Sequence, residues 1–350
     1  MGAEVRLSKP RYYERRMLTR RGILLIMFTF CDRPRGAPQP MELTLTQLRM
    51  FIAVADAGSV RAAARRLDVA QSGVTQHMRK LEAQAGGPLF ERDVRGVRLT
   101  PVGERLRVRA ELILGECRKT EDEMRQLQGD LTGRVALGLA ADATMRLFPA
   151  LLESYRERCP RIDVHLTSAT SRMLTSWVRE GRLDFALALI APDADVHDME
   201  TTPLFESEVA VIARRDHALT RARTLADLCD AQWVSTRQRS GETAGNRLSA
   251  LFEDARLPAP RIAATTEAVF DTLHCIAGSD YLGLEPAGLA THRFFRDHVM
   301  VLKIAERAAS TPVCLVRRAG VPLTPAAQEL ATMALSYSRI ARKRRAQRDA

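Results

Sequence analysis

The chain has 350 residues, 46% of them hydrophobic and 27% charged. That is enough apolar material for two or three domains with cores of their own, and it excludes an intrinsically disordered protein. The formal charge of +11 sits at the ends: residues 1–40 hold nine Lys or Arg against three acids, and residues 339–350 hold six against one. The body is near neutral, so any nucleic-acid affinity has to come from a specific element, with the ends adding only salt-dependent, sequence-independent attraction.

Six cysteines (Cys31, Cys117, Cys159, Cys229, Cys275, Cys314) are scattered without a close pair, which suits reduced thiols in a cytoplasm rather than a disulfide frame or a zinc site. Seven histidines are equally dispersed, and no metal site or cofactor is expected. The apolar run Gly22 to Phe30 is short for a membrane span and lacks a small-residue cleavage site, so no membrane association is expected. Residues 1–40 are read as a disordered extension from an upstream start, with Met41 as the functional start.

From Leu45 three helical periods follow one another. Leu45, Leu48, Phe51, Ile52 and Ala55 form the first stripe; Val60, Ala63, Ala64 and Leu67 the second; Val74, Met78, Leu81 and Ala85 the third. Short turns at Gly58-Ser59 and Asp68 to Ala70 separate them. The third run leaves Gln71, Ser72, Thr75, Gln76 and Arg79 outward near its start, groups that contact base edges and phosphates. Helix, tight turn and helix with polar groups opening the second member is the helix-turn-helix arrangement. The segment Pro88 to Thr100 then predicts a small hairpin whose Arg92, Arg95 and Arg98 suit a phosphate backbone or a minor groove. Ser59 and Arg61 are assigned to the same backbone contacts.

The text Ala62-Ala-Ala-Arg-Arg-Leu67, Ala70-Gln-Ser-Gly-Val-Thr-Gln-His-Met-Arg-Lys-Leu-Glu82, Pro88-Leu-Phe-Glu-Arg92 and Leu99-Thr-Pro-Val-Gly103 closely resembles the amino-terminal domain of LysR-type transcriptional regulators. The resemblance spans about sixty residues without a gap. Gly73 stands where an alanine is usual and Thr75 where a serine is usual; a helical glycine costs up to ~1 kcal/mol relative to alanine.

After Thr100-Pro101, a cap and first-turn pair, Leu106, Ala110, Ile113, Cys117, Thr120, Met124 and Leu127 alternate four- and three-residue steps. Such a seam needs a partner surface. The resemblance implies that it is the linker helix through which subunits pair, as a homodimer or homotetramer placing heads on two half-sites.

From Gly133 the rhythm becomes strand, helix, strand, helix, predicting a parallel sheet with helices on its faces. Val135–Leu139, Ile162–Leu166 and Phe185–Ile190 are strands, with helices over Leu147–Arg158 and Met173–Glu180. A second set has strands at Val209–Ala213, Trp233–Ser235, Ile262–Ala264 and Val299–Ile304 and a helix at Ala268–Ala277. Strand Val313–Val316 and helix Pro325–Ile340 return to the first set. Two α/β lobes joined by crossing strands resemble the effector-binding domain of the same regulators, itself similar to periplasmic solute-binding proteins. Gly181-Arg-Leu-Asp184 fits the family's Gly-x-Leu-Asp pattern; in Ser279-Asp-Tyr-Leu-Gly-Leu-Glu-Pro286, Glu285 is unusual.

Ligands in such sheets sit beyond the carboxyl ends of strands. Those ends offer Asp142, Thr144, Ser168, Thr170, Ser171, Thr236, Thr265, Thr266 and Glu267, each of which also reads as a plain helix cap. Hydroxyls and helix-start amides suit a small carboxylate co-inducer. Asp142 and Glu267 oppose a strongly anionic one unless Arg146, Arg172 and Arg237 offset them.

The resulting expectation is an α winged helix-turn-helix head (41–100), a linker helix (101–130), a two-lobed α/β periplasmic-binding-protein-like effector domain (131–338) and a basic disordered tail (339–350). Lobe 1 covers 131–206 and 306–338, and lobe 2 covers 207–305. The expected function is that of a cytoplasmic, nucleoid-associated regulator that binds double-stranded promoter DNA and contacts RNA polymerase under control of a small effector. The alternative is an α/β solute-binding or enzymatic protein using the head for association. An enzyme reading lacks parts, because there is no Gly-x-Ser-x-Gly elbow, phosphate loop or zinc motif.

Overall fold

The computed structural model describes residues 13–19, 22–28, 42–93, 96–191, 194–236, 247–266 and 268–349, the side chains of 13–28, 92–93 and 340–349 excepted. Within the segment expected to be disordered, strands β1 (Tyr13–Thr19) and β2 (Gly22–Phe28) pair antiparallel; the junction at Met41 lies outside the described residues. The chain divides into two compact units between Ala110 and Glu111.

The first unit is built on α1 (Leu45–Ala57), α2 (Val60–Leu67) and α3 (Gln71–Ala85), then the antiparallel hairpin of β3 (Phe90–Asp93) and β4 (Gly96–Leu99), then the start of α4 (Pro101–Leu127). Thr44 and Gln47 cap α1 reciprocally. The face α1 buries is Leu48, Met50, Phe51, Ala53 and Val54. The predicted stripe is therefore rotated: Leu45 is exposed, and Ile52 and Ala55 are only half-buried. The small Ala63 and Ala64 of α2 let α3 approach with Val74, Met78 and Leu81. Asp68, at φ 53°, makes the left-handed turn between α2 and α3, a conformation aspartate tolerates better than most residues.

The hairpin is fixed to this core. Glu82 of α3 accepts from the amides of Leu89 (2.9 Å) and Phe90 (3.3 Å), and the Phe90 ring lies 5.2 Å from that of Phe51. Gly103 is required by close approach, since a Cβ there would lie 2.2 Å from the Leu89 carbonyl oxygen. Thr100 anchors that approach by donating to the Pro88 carbonyl and capping α4 through the Gly103 amide.

In the second unit, one five-stranded sheet has the order β6-β5-β7-β14-β8, from β5 (Gly133–Leu139), β6 (Ile162–Ser168), β7 (Phe185–Leu189), β8 (Met199–Ser207) and β14 (Thr311–Arg318). β5 runs parallel to β6 and β7, whereas β14 is antiparallel to both β7 and β8. The sheet is thus mixed where a parallel one was predicted. The reason is connectivity: the chain leaves this lobe along β8, which the sequence reading missed, and returns along β14 in the opposite sense. Alternation along β5 sends Val135, Leu137 and Leu139 to a core shared with α5 (Ala141–Arg158) and α10 (Pro325–Asp349). Its Ala136 faces a core shared with α6 (Ser171–Arg179).

The second lobe holds β9 (Val209–Arg214), β10 (Gln232–Thr236), α7 (Arg247–Asp254), β11 (Arg261–Thr266), α8 (Val269–Gly278), β12 (Gly283–Pro286), α9 (Ala287–Ala290) and β13 (Val299–Val301). β11 and β10 are parallel, a Trp233–Leu282 bridge continues parallel into β12, and β12 and β13 flank β9 antiparallel. Trp233 and Phe252 pack edge-to-face at 5.6 Å in its core. The helix α10 passes the expected end at Ile340, so the tail expected to be disordered is helical to Asp349. Its Ala, Arg, Lys and Gln residues are strong helix formers, which the charge count alone concealed.

Candidate nucleic-acid interface and effector site

The interface starts from an uncapped helix end. Ala70, at the N-cap of α3, has no side-chain oxygen, and its first intrahelical bond runs from the Val74 amide to the Ala70 carbonyl. The amides of the first turn are left open, carrying the positive end of a 15-residue helix, which favours a phosphate oxygen. The sequence signal for this was Ala70 itself, a poor cap in a capping position. Around that end Gln71, Ser72, Gln76 and Arg79 are exposed and Thr75 half-exposed, and these five together line one open surface depression. Thr75 donates its hydroxyl to the Gln71 carbonyl (2.9 Å) and keeps only its lone pairs for an outside group. Lys80, which the sequence reading passed over, is exposed beside Arg79.

The other assigned contacts divide. Arg61 is exposed at the start of α2, and Arg98 is exposed on β4. Ser59 has a structural duty, accepting from the Ala62 amide (3.4 Å) to cap α2. Arg92 lies on β3 with its side chain outside the described residues, and Arg95 lies outside them altogether. Gly96 carries the wing against the first helical turn: its φ is +132°, and a Cβ there would lie 2.6 Å from the Gly58 carbonyl oxygen, which accepts from the Val97 amide.

On α4, Ile113, Met124 and Leu127 are exposed, Leu106 and Cys117 half-buried, and Ala110 fully buried within the chain. The carboxy-terminal part of α4 binds its own unit through polar contacts. Lys119 reaches Asp184 (2.9 Å) and the Gly181 carbonyl (2.8 Å), Glu116 pairs with Arg318 (2.9 Å), and Gln126 accepts from the Ala326 amide (3.0 Å). Asp184 also accepts from the Ala136 amide at 2.7 Å, which gives the Gly-x-Leu-Asp segment its physical role.

The predicted effector residues fall into two groups. In lobe 1, Asp142 is buried in the first turn of α5; its Oδ1 accepts from Arg146 Nε (2.7 Å), and its Oδ2 has no partner among the described residues. Arg146 thus pairs with Asp142, with its guanidinium over the Phe205 ring at 4.8 Å. Thr170 Oγ1 is likewise buried without a partner among the described residues. Thr144 donates to the Ala140 carbonyl, Ser171 accepts from the Leu189 amide (2.9 Å), and Ser168 is exposed. Thr144 and Ser171 are therefore committed within the fold. In lobe 2, Thr236 donates to Glu285 Oε1 (3.0 Å) and meets Thr272 Oγ1 (2.9 Å), which meets Thr266 Oγ1 (2.6 Å). Thr265 is exposed on β11 and away from this chain of hydroxyls. Glu267 and Arg237 lie outside the described residues, and Arg172 is exposed on α6.

Glu285 and Thr272, bonded to Thr236, and Arg247, whose charge acts on Glu285, were not among the residues assigned from the sequence. Burial pushes the Glu285 carboxyl up to about 7, against the pull of the Thr236 hydrogen bond and the Arg247 charge. Burial also lowers the pKa of Arg247. The available signal was Glu285 itself, a carboxylate on a strand whose neighbours Leu282 and Leu284 are apolar. Among the described residues no group of three or more His, Cys, Asp and Glu is placed to hold a metal, and no helix is long and apolar enough to cross a membrane.

A winged helix-turn-helix with a bare recognition-helix end, followed by a two-lobed α/β domain with polar strand ends, defines a DNA-binding protein governed by a small molecule. Residues 45–104 match the bacterial regulatory helix-turn-helix protein, lysR family, and residues 128–339 match the LysR substrate binding domain. The chain is 25% identical to the HTH-type transcriptional regulator TdcA of Escherichia coli (strain K12), over 83% of this chain and 92% of that protein. It is 29% identical to the regulator TfdS of Cupriavidus pinatubonensis, over 77% and 90%. Among solved structures, full-length CbnR complexed with its target DNA superposes with a TM-score of 0.64 at 23% identity, covering 85% of this chain and 99% of that one, a likeness of fold. The chain belongs to the LysR family of transcriptional regulators. It is a DNA-binding transcriptional regulator with an effector-binding domain, in a family of regulators rather than enzymes.

Proposed function

We propose that the protein binds a partly palindromic promoter site as a dimer or a dimer of dimers in the cytoplasm. Gln71, Ser72, Thr75, Gln76 and Arg79 read the major groove, while Arg61, Arg92, Arg95 and Arg98 hold the backbone or minor groove. The observation that carries this reading is the open amino-terminal end of α3 with those five polar groups around it. The complex of CbnR with its target DNA supports it by fold. Exposed Ile113, Met124 and Leu127 supply the apolar stripe for pairing subunits through α4. A small effector held by strand-end residues of both lobes (Asp142, Thr170, Thr236, Thr266) shifts the population between two head arrangements. That shift changes DNA bending and contact with RNA polymerase, and it requires different effector affinities in the two states.

The test is binding of the full chain to DNA immediately upstream of its own gene, against scrambled DNA at physiological salt. A preference of about a thousandfold or more is the expected result. If Arg79→Ala and Gln71→Ala together leave that preference unchanged, the assigned reading face is wrong.

A further inference from the structure

Helix α10 carries its charge where its packing stops. Its first part buries Ala326, Ala327, Leu330, Ala331, Met333 and Ala334 in the lobe 1 core. Ser338, also buried, closes the anchored part by donating to the Leu204 carbonyl, and Arg339 after it is exposed. The helix then continues to Asp349, a further ~15 Å at about 1.5 Å per residue. The segment matched to the substrate binding domain stops at 339, so this stretch lies outside the framework of the lobe.

In residues 339–350 six cations (Arg339, Arg342, Lys343, Arg344, Arg345, Arg348) stand against one acid, Asp349. The chain's +11, less +6 for residues 1–40 and +5 here, leaves residues 41–338 with no net charge. At three- and four-residue steps Arg339 is followed by Arg342 and Lys343, Arg342 by Arg345, and both Arg344 and Arg345 by Arg348; the one opposite-sign step is Arg345 to Asp349. A helix that is merely solvated mixes its signs at those steps, because like charges there repel. The helix dipole favours cations in the last turn only, which leaves Arg339 to Arg345 unaccounted for. Growth from an anchored helix needs no new nucleus, so the segment is helical despite its repulsion.

We propose that this extension of α10 is a second DNA-contacting element, a preformed helix that binds the phosphate backbone without reading sequence. Its occupant follows from charge complementarity and from the DNA that a regulator of this family already holds. Duplex DNA carries one negative charge per ~1.7 Å of axis, which relieves the repulsion along the helix and releases counterions. Cations on a formed helix also avoid the ordering cost that a flexible basic segment meets on binding.

The experiment is fluorescence anisotropy of the full chain on a scrambled duplex, from about 50 to 200 mM salt. Arg342→Gln, Lys343→Gln, Arg344→Gln, Arg345→Gln and Arg348→Gln are combined in one variant that keeps a helix former at every position. Its slope of log Kd against log salt is expected to fall by about 2–4, ~0.9 for each phosphate given up, with binding weaker by ~10-fold or more at physiological salt. A chain ending at Arg339 is expected to do the same and serves if the combined variant does not fold. Ala341→Pro keeps every cation but breaks the helix at its root, and is expected to weaken binding by ~3-fold or more. The melting temperature of the 111–350 unit is followed in each variant to show that lobe 1 is intact. Unchanged slope and affinity without the cations overturn the proposal. Full binding by Ala341→Pro makes the charges a flexible attraction and overturns the preformed helix. Lost binding to phosphatidylglycerol vesicles beside an unchanged DNA slope makes the occupant a membrane and overturns it too. Scrambled DNA is held through its phosphates, so failure of the promoter site or of the α3 reading face leaves this test standing.

Discussion

The DNA-reading head and the effector edge solve opposite problems with the same residue types. The head gathers its polar groups from little more than two turns of a single helix, so their spacing in sequence is their spacing in space, and they are left exposed or half-exposed. The proposed effector edge gathers Asp142, Thr170, Thr236, Thr266 and Glu285 from positions up to 143 residues apart and buries Asp142 and Glu285. An exposed polar group on a helix is inexpensive and available for a partner. A buried one must find a partner in the fold or wait for one. The hydroxyls of Thr144 and Ser171 found theirs, whereas among the described residues Asp142 Oδ2 and Thr170 Oγ1 did not.

The most severe way to separate the two regions is Phe51→Ala, which removes the largest fully buried side chain of the head and its contact with Phe90. A loss of about 3–5 kcal/mol is expected in the head. Operator binding should vanish while the calorimetric transition of the 111–350 unit stays in place; a shift of that transition would show that the two units do not melt separately.

Next in size is the pH dependence of the effector domain. Glu285 holds its proton up to about 7 in the folded state, against an ordinary glutamate value of 4.5. The folded chain therefore binds more protons than the unfolded chain across that window. The stability from this group is full below about 4.5 and is lost as pH rises through about 7, by at most ~3 kcal/mol. Chemical denaturation from pH 4.5 to 8 should show this decline in the wild type and a flatter profile in Glu285→Gln; parallel profiles would place the slope elsewhere.

Arg79→Ala sharpens the reading face. A loss of ~1–3 kcal/mol in specific DNA binding is expected, with a smaller change on scrambled DNA, by fluorescence anisotropy at fixed salt. An equal loss on both DNAs would make Arg79 a phosphate contact.

The smallest expected effect is Gly73→Ala. Nothing lies within 4 Å of a Cβ at that helical position, so the head should gain up to ~1 kcal/mol in thermal unfolding. Destabilisation would mean that the open space at Gly73 is not free to accept a methyl group.

What the sequence determined by itself was whatever is local. The three helices, the wing, Gln71 through Arg79 as an outward face and the strand–helix rhythm of both lobes follow from periods of 3.6 and 2 and from turn residues. Tertiary structure decided the rest. The exit along β8 and return along β14, which make the lobe 1 sheet mixed, depend on pairings between residues more than a hundred apart, and no local period encodes strand direction. Leu45 reads as core and lies exposed because the partners of α1 select the face through Leu48, Phe51 and Val54. Glu285 is an ordinary carboxylate in the sequence. Only burial behind Thr236 and Thr272, with Arg247 near, turns it into a group that holds a proton near neutrality.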